Sequence, residues 1–365
     1  VQYDPVYICC TSHELTLRAR VRGDSSALLE RALYRDRTLF DYWDKNMGIL
    51  PIEDWPCLGR MRQMLDTRSR EAVESAAPRV LAYLREQGPA CAQELPFDER
   101  VDWYWSETRL SRAVLETLYY RGRLVVHHKK RSIKYYDLAE NCVPRALLEA
   151  ENPCAELADM QAWQAYRRIG AVGLLANGPS DAWLGIEGFR APAREAAFAR
   201  LEAEGRITPV TVEGLKRPLY LHTEDLPLLQ EAIAAAPLGA KRARVLAPLD
   251  NLLWDRKLIA ALFGFQYTWE IYTPAEKLQY AHYTLPVLYG EGFAGRVQPV
   301  ADRKRGVLRC VRFWPKRGFR RTPAFRAALL RELDSLRAFL GLAALEPSAE
   351  FLADIGEAPV PPVSK

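Results

Sequence analysis

Gln2 and Asp4 stand two residues apart in the opening run Val1-Gln2-Tyr3-Asp4. In an extended strand that spacing sends both side chains from one face and Tyr3 from the other. An amide and a carboxylate side by side can hold a water between them. The carboxylate can take a proton from that water or oppose a positive charge developing on a bound molecule. The same residues also suit a strand end whose polar groups bond the next turn, with Asp4-Pro5 as turn starter. Farther on, Ser12-His13-Glu14 adds a histidine, a residue that can titrate near neutrality but more often packs and hydrogen-bonds.

Charge is informative through its distribution. The net charge is +5, yet Arg121 to Lys134 holds six Lys/Arg, two His and no acid. Arg296 to Arg321 holds ten Lys/Arg against the single Asp302. Two dense basic runs in turn-rich segments point to a polyanionic partner. Lys129, Lys130 and Arg131 are expected at a hairpin tip, where each would contact phosphate. Trp43 and Trp55 read as core aromatics, and Trp103-Tyr104-Trp105 as domain packing with a capacity to stack bases.

The seven cysteines are odd in number, scattered, and never spaced C-x-x-C. A structural zinc site or disulfide framework is therefore not expected, and a reducing cytoplasm is. Cys9-Cys10 reads as small buried hydrophobes. No apolar run approaches the ~20 residues of a spanning helix, and the opening lacks the pattern of a secretory signal.

Periodicity then supplies the elements that must position these residues. Val73, Ala77, Val80, Leu81 and Leu84 predict a helix ending near Gly88-Pro89. A short element follows at Cys91 to Leu95, then a helix from Ser106 carrying Leu110, Val114, Leu115 and Leu118. Two strands joined by His127 to Ser132 complete a winged helix-turn-helix order. The pattern recurs about 80 residues on, with helices at Met160 to Ile169 and Pro192 to Glu204 and a hairpin from Arg206 to His222. The repeat makes Val1 to Asp4 the first hairpin strand of an earlier copy, with Leu15 to Arg18 returning and the leading helices expected upstream.

The expected fold class is α+β, with tandem winged helix-turn-helix domains followed by a small C-terminal antiparallel β-barrel. The expected boundaries are the remainder of a first winged helix at 1–68, a second at 69–150 and a third at 151–225. A linker at 226–244, the barrel at 245–321, a helix at 322–345 and a disordered Pro-rich tail at 346–365 complete the chain. The barrel rests on β-type segments at Tyr267 to Tyr272, Tyr283 to Tyr289, Arg296 to Val300 and Val307 to Phe313.

Several separated blocks, in order, resemble the winged-helix DNA glycosylases of the AlkZ/YcaQ kind. Gln2-Tyr3-Asp4 is similar to the family's glutamine-hydrophobic-acid motif, in its YcaQ-like form. Ser12 to Leu17, Phe40 to Lys45 and Leu50 to Pro56 resemble its histidine, aromatic and proline blocks. Pro248 to Asn251, Trp254-Asp255-Arg256, Leu262 to Phe265, Glu270-Ile271-Tyr272, Leu285 to Leu288 and Gly295-Arg296-Val297 follow. Glu14 stands where a second histidine is common, and Gln298 where an acid is frequent.

The resemblance implies hydrolysis of the N-glycosidic bond of alkylated purines in double-stranded DNA, including N7-linked interstrand crosslinks in some members. It implies no metal, nucleotide or redox cofactor, no membrane, and no obligatory protein partner. A cytoplasmic, nucleoid-associated monomer is expected. An N7-alkylated guanine is cationic, so its base leaves without a general acid. Asp4 would then stabilise the oxocarbenium-like sugar and accept the proton of the attacking water, while Gln2 would orient that water. His13, Trp254, Arg256 and Arg296 become candidates for DNA contact, with a structural salt bridge as the competing account of the two arginines. A winged-helix transcription regulator explains the repeats and basic hairpins equally well, but gives Gln2 and Asp4 no task.

Overall fold

Thr11 and Glu14 decide what the N-terminal segment becomes. Glu14 Oε2 accepts the Thr11 backbone N–H at 3.0 Å and the Thr11 hydroxyl at 2.6 Å. This capping box starts the helix Ser12–Arg18. The expected return strand at Leu15 to Arg18 is thereby corrected to a helix. The hairpin of this part of the chain is Leu39–Trp43 with Met47–Pro51, in register from Leu39↔Pro51 to Trp43↔Met47.

The computed structural model describes residues 1–4, 6–64, 68–104, 106–235 and 241–356. They form two units of an α+β fold. One consists of Ala27–Ala165 and Gly185–Ala197. In it the helix Arg70–Gln87 buries Val73, Val80 and Leu84 in a core shared with Val114, Leu115 and Leu118 of the helix Leu110–Tyr120. The hairpin Leu124–Lys130 with Ile133–Leu138 closes this core through Leu124, Val126, Tyr136 and Leu138. Cys91 to Leu95 is a turn rather than a short helix, closed by Glu94 N–H on the Cys91 carbonyl at 3.1 Å. The helix expected from Ser106 begins only at Leu110, because Thr108–Arg109 pairs with Arg100–Val101 as a short ladder.

The other unit consists of Val1–Ser26, Tyr166–Leu184 and Phe198–Lys365. A small sheet places Leu219–His222 between Leu175–Ala176 and Ile207–Val210. A larger five-stranded sheet runs in the order Ala243–Val245, Leu285–Tyr289, Gly292–Asp302, Val307–Pro315, Ala344–Pro347. Bulges at Val287/Leu288 and Gln298/Pro299 bend it into half a barrel. Gly295 is required there, since a Cβ at that position would lie 2.2 Å from the Trp314 carbonyl oxygen. Compared with a closed antiparallel barrel, the sheet is open and its last strand runs parallel to its neighbour.

Val287, Val297, Leu308, Cys310 and Phe313 of this sheet pack on Phe325, Leu329, Leu333 and Leu336 of the helix Pro323–Phe339. Cys9, Cys10 and Leu15 join the same core, which ties the N-terminal segment to the sheet. Arg18 is tied as well: its guanidinium meets Glu332 at 2.8 Å, and Glu332 also accepts Arg244 and the Val245 N–H, both at 3.0 Å. Arg20 forms a bidentate pair with the fully buried Asp250, both bonds at 2.7 Å.

Three stretches of this unit differ from the sequence reading. The expected linker contains the helix Leu226–Ala234, opened by Pro227 in its first turn, and the strand Ala243–Val245. Tyr267 to Tyr272 is not a strand. The Glu270 carboxylate reaches across the loop instead, to the N–H groups of Gln279 and Tyr280. The expected disordered tail contains the strand Ala344–Pro347 and the helix Ala349–Asp354, which Ser348 caps and Phe351 buries. Residues 357–365 of that tail, and Trp105, lie outside the described residues.

Candidate active site

The Tyr3 and His13 rings stack at 4.4 Å between centroids and 18° between planes, so the Gln2–Asp4 segment rests on the first turn of the Ser12–Arg18 helix. His13 is buried, with Nε2 at 3.1 Å from the Thr11 hydroxyl. It therefore acts as the platform under Tyr3, and the structure gives it a packing role. Glu14, which stands where the family commonly has a second histidine, is held on Thr11 by the capping box.

Gln2 is 7% exposed, and its Oε1 has no hydrogen-bond partner among the described residues. A buried amide oxygen so placed can accept a hydrogen bond from a donor that reaches it. Asp4 is half-buried. Its Oδ1 accepts the Val6 N–H at 2.8 Å, the i to i+2 bond of a turn, while Oδ2 makes no hydrogen bond among the described residues. Burial raises the Asp4 carboxyl above its usual value and the Val6 N–H works against that rise. The turn reading of the sequence is thus realised in Asp4. One oxygen shapes the turn, and the other makes no hydrogen bond among the described residues, so it can accept a proton or face a cation.

The remaining candidates are placed less uniformly. Arg256 is exposed in the first turn of the helix Arg256–Phe263, where a phosphate could reach it. Trp254 is buried instead, donating its indole N–H to the Leu249 carbonyl at 3.2 Å, so it belongs to the core. Arg296 is a second correction. It is 6% exposed, donates to the Gln266 carbonyl, and lies 3.7 Å from the Tyr280 ring centroid, with Phe265 and Tyr267 beyond. Desolvation lowers its pKa, and neither the surface contact nor the salt bridge expected of it is found among the described residues. Gln298, a half-buried residue of the same strand, lies opposite Arg312.

Lys129, Lys130 and Arg131 belong to the other unit and have separate fates. Lys129 Nζ meets Asp41 at 2.7 Å with the side chains 10% and 4% exposed, so it is a buried partner rather than a tip residue. Lys130 is exposed and lies over the Tyr135 ring at 4.4 Å. Arg131 forms the turn itself, exposed and with φ at +59°. Trp55 and Trp103 are buried, and Trp103 donates its indole N–H to Glu116 at 3.1 Å.

Sequence reasoning missed the locks on the segment, namely Arg18 with Glu332 and Arg20 with Asp250. Pairs this far apart in the chain leave no local signal. The capping box, by contrast, was written in Thr11-Ser12-His13-Glu14. Among the described residues no three His, Cys, Asp or Glu side chains are grouped to hold a metal ion, and no helix is long and apolar enough to cross a membrane. Cys9 is buried with its thiol pushed up to about 12 by desolvation, which suits a packed hydrophobe and not a nucleophile.

The fold is similar to that of a solved DNA glycosylase, AlkZ from Streptomyces sahachiroi. The TM-score is 0.54 at 17% identity, over 89% of this chain and 85% of that one. Residues 1–339 match the family model described as DNA glycosylase AlkZ-like, and with the Gln2–Asp4 segment inside that span the chain belongs to the AlkZ-like family of DNA glycosylases.

Proposed function

We propose that this DNA glycosylase hydrolyses the N-glycosidic bond of cationic alkylated purines, N7-alkylguanine above all, without cutting the strand. The reading extends to N7-linked interstrand crosslinks and to a monomer acting on duplex DNA through winged-helix elements. The observation that carries it is the Gln2/Asp4 pair. One carboxylate oxygen is fixed by a backbone N–H, the other is open, and a buried amide oxygen lies two residues away.

A base that already carries a positive charge needs no proton to leave. The barrier then lies in the cationic sugar and in the water that must attack it. Asp4 opposes that positive charge and accepts the proton that the water sheds, while Gln2 accepts a hydrogen bond from the water or sugar and adds no charge. No lysine stands in the motif to form a covalent intermediate, so the product is an abasic site in an intact strand. A site of this kind on a rigid segment can act on bulky lesions without the tight pocket of a full base-flipping enzyme.

The test is lesion charge. Duplexes carrying N7-methylguanine, uracil or 8-oxoguanine are incubated with the protein in chelator, and free base is measured by chromatography. Release of N7-methylguanine alone is the expected result. Efficient uracil release would refute the electrostatic mechanism, and chelator-sensitive release would refute a metal-free one. A full-length protein that releases no base would leave a DNA-binding regulator as the better reading.

A further inference from the structure

The segment between the helix Arg256–Phe263 and the strand Leu285–Tyr289 has no ladder of its own, yet it is held at many points. The buried Glu270 carboxylate accepts the N–H groups of Gln279 and Tyr280 at 2.8 and 3.0 Å, drawing both limbs of the loop together. The Thr273 N–H bonds the Glu270 carbonyl at 2.9 Å, and the His282 ring bonds the Thr273 carbonyl at 3.1 Å. At the base, the Tyr267 hydroxyl donates to the Thr284 carbonyl at 2.8 Å and Arg296 donates to the Gln266 carbonyl.

A loop fixed in this way tucks its aromatic rings inward, as Phe265, Tyr267 and Tyr283 show. Tyr272 is the exception. At 82% exposed it is the most exposed large apolar side chain among the described residues, and its ring contact is to Trp269 at 6.3 Å. Trp269 in turn packs on the cluster of Leu246, Leu253 and Ile259 that also receives Ala19, the residue capping the Ser12–Arg18 helix. The Tyr272 loop and the Gln2–Asp4 segment therefore belong to one packed body.

The loop and the helix before it expose more positive than negative charge. Arg256 acts electrostatically on Tyr267 at the base of the loop and is itself exposed, as are Lys257 and the loop's Lys277. Glu276 is the exposed acid beside Lys277. An exposed ring with few rotatable bonds, on a loop that follows a helix start bearing Arg256 and Lys257, loses little entropy when a flat partner covers it. The flat anionic partner available to a DNA glycosylase is a nucleobase with its phosphates, and one stacked base is worth roughly tenfold or more in affinity.

We propose that Tyr272 stacks on a nucleobase of the DNA substrate and parts it from its neighbour, so that the loop works as a wedge on the strand presented to Asp4. The wedge rests on the glycosylase reading above for its substrate and supplies what that reading lacks, a residue that opens the base stack.

The test uses the full chain and a duplex with 2-aminopurine beside a 2′-fluoro N7-methylguanosine, which resists hydrolysis. Wild type should raise the 2-aminopurine fluorescence on binding. Tyr272→Ala should lose that rise and bind roughly tenfold more weakly, with an unchanged salt slope, whereas Tyr272→Phe should keep both properties. Thermal melting of each variant checks the fold, which truncation of so exposed a ring should leave intact. Equal fluorescence from Tyr272→Ala and wild type overturns the wedge, as does loss of the signal in Tyr272→Phe. Base release by wild type from an ordinary N7-methylguanine duplex is measured beside it. A Tyr272-dependent signal without base release keeps the wedge and removes the glycosylase mechanism; base release without that signal does the reverse.

Discussion

The rings of Tyr3 and His13 lie parallel, 4.4 Å apart, and this stack joins the segment bearing Gln2 and Asp4 to a helix anchored in the sheet core. It relates a histidine to the proposed chemistry without giving the imidazole a proton to move. His13→Phe, which keeps a flat ring, should therefore retain most activity, while His13→Ala should lose about tenfold or more through misplacement of Asp4. A rate for His13→Phe as low as that for His13→Ala would mean that the imidazole itself is needed.

Asp4→Asn should preserve folding and DNA binding and lower single-turnover release of N7-methylguanine by about 10²-fold, the usual cost of one electrostatic or base group. Release at the wild-type rate would remove Asp4 from the mechanism.

Burial raises the Asp4 carboxyl above its usual 3.8, with the Val6 N–H opposing. The working form is the ionised one. The single-turnover rate should therefore be flat at neutral pH and fall on acidification through a midpoint above 3.8. Asp4→Asn should abolish that limb. A limb unchanged in the mutant would assign the titration to another group.

Glu332 is the buried acceptor for Arg18, Arg244 and the Val245 N–H. Glu332→Ala strands two guanidinium groups and a backbone donor, and should destabilise the sheet unit by about 3–5 kcal/mol in urea titration. A change below about 1 kcal/mol would show that solvent replaces the carboxylate at little cost.

Lys129, Lys130 and Arg131, adjacent in sequence, should part company in solution. Lys130→Ala and Arg131→Ala should each lower the salt slope of duplex binding by about one, with stability unchanged. Lys129→Ala should instead destabilise the protein, because it leaves the Asp41 carboxylate buried and unpaired. A salt slope untouched by the Lys130 and Arg131 variants would turn the hairpin away from DNA.

What was legible in the sequence was what is local. The helix Arg70–Gln87 follows from its apolar spacing and the Gly88 that closes it. So does the hairpin Leu124–Lys130 with Ile133–Leu138, because Gly122 and the alternation around it are contiguous. The helix at Ser12 departs from the strand that the domain repeat implied, because the local capping box of Thr11 and Glu14 starts a helix there. Arg296 was misread because a basic residue in a basic run suggests surface, while the cage of Tyr280, Phe265 and Tyr267 is assembled from a loop elsewhere in the chain. Tyr267 to Tyr272 looked like a strand because aromatics favour strands, but the chain turns where Thr273 N–H bonds the Glu270 carbonyl, and Glu270 ties the segment to Gln279 and Tyr280 rather than to a neighbouring strand.

Cys9, Cys10 and Leu15 are core residues of the five-stranded sheet, only a few positions from Asp4. The segment proposed to carry the chemistry is thus followed directly by a stretch that cannot leave its place without exposing the sheet core. Amide exchange along residues 9–18 should then proceed only at the rate of global unfolding of that unit. Gly295→Ala, which would bring a methyl group to 2.2 Å from the Trp314 carbonyl oxygen, should therefore lower sheet stability and base release together, read by thermal melting beside the release assay.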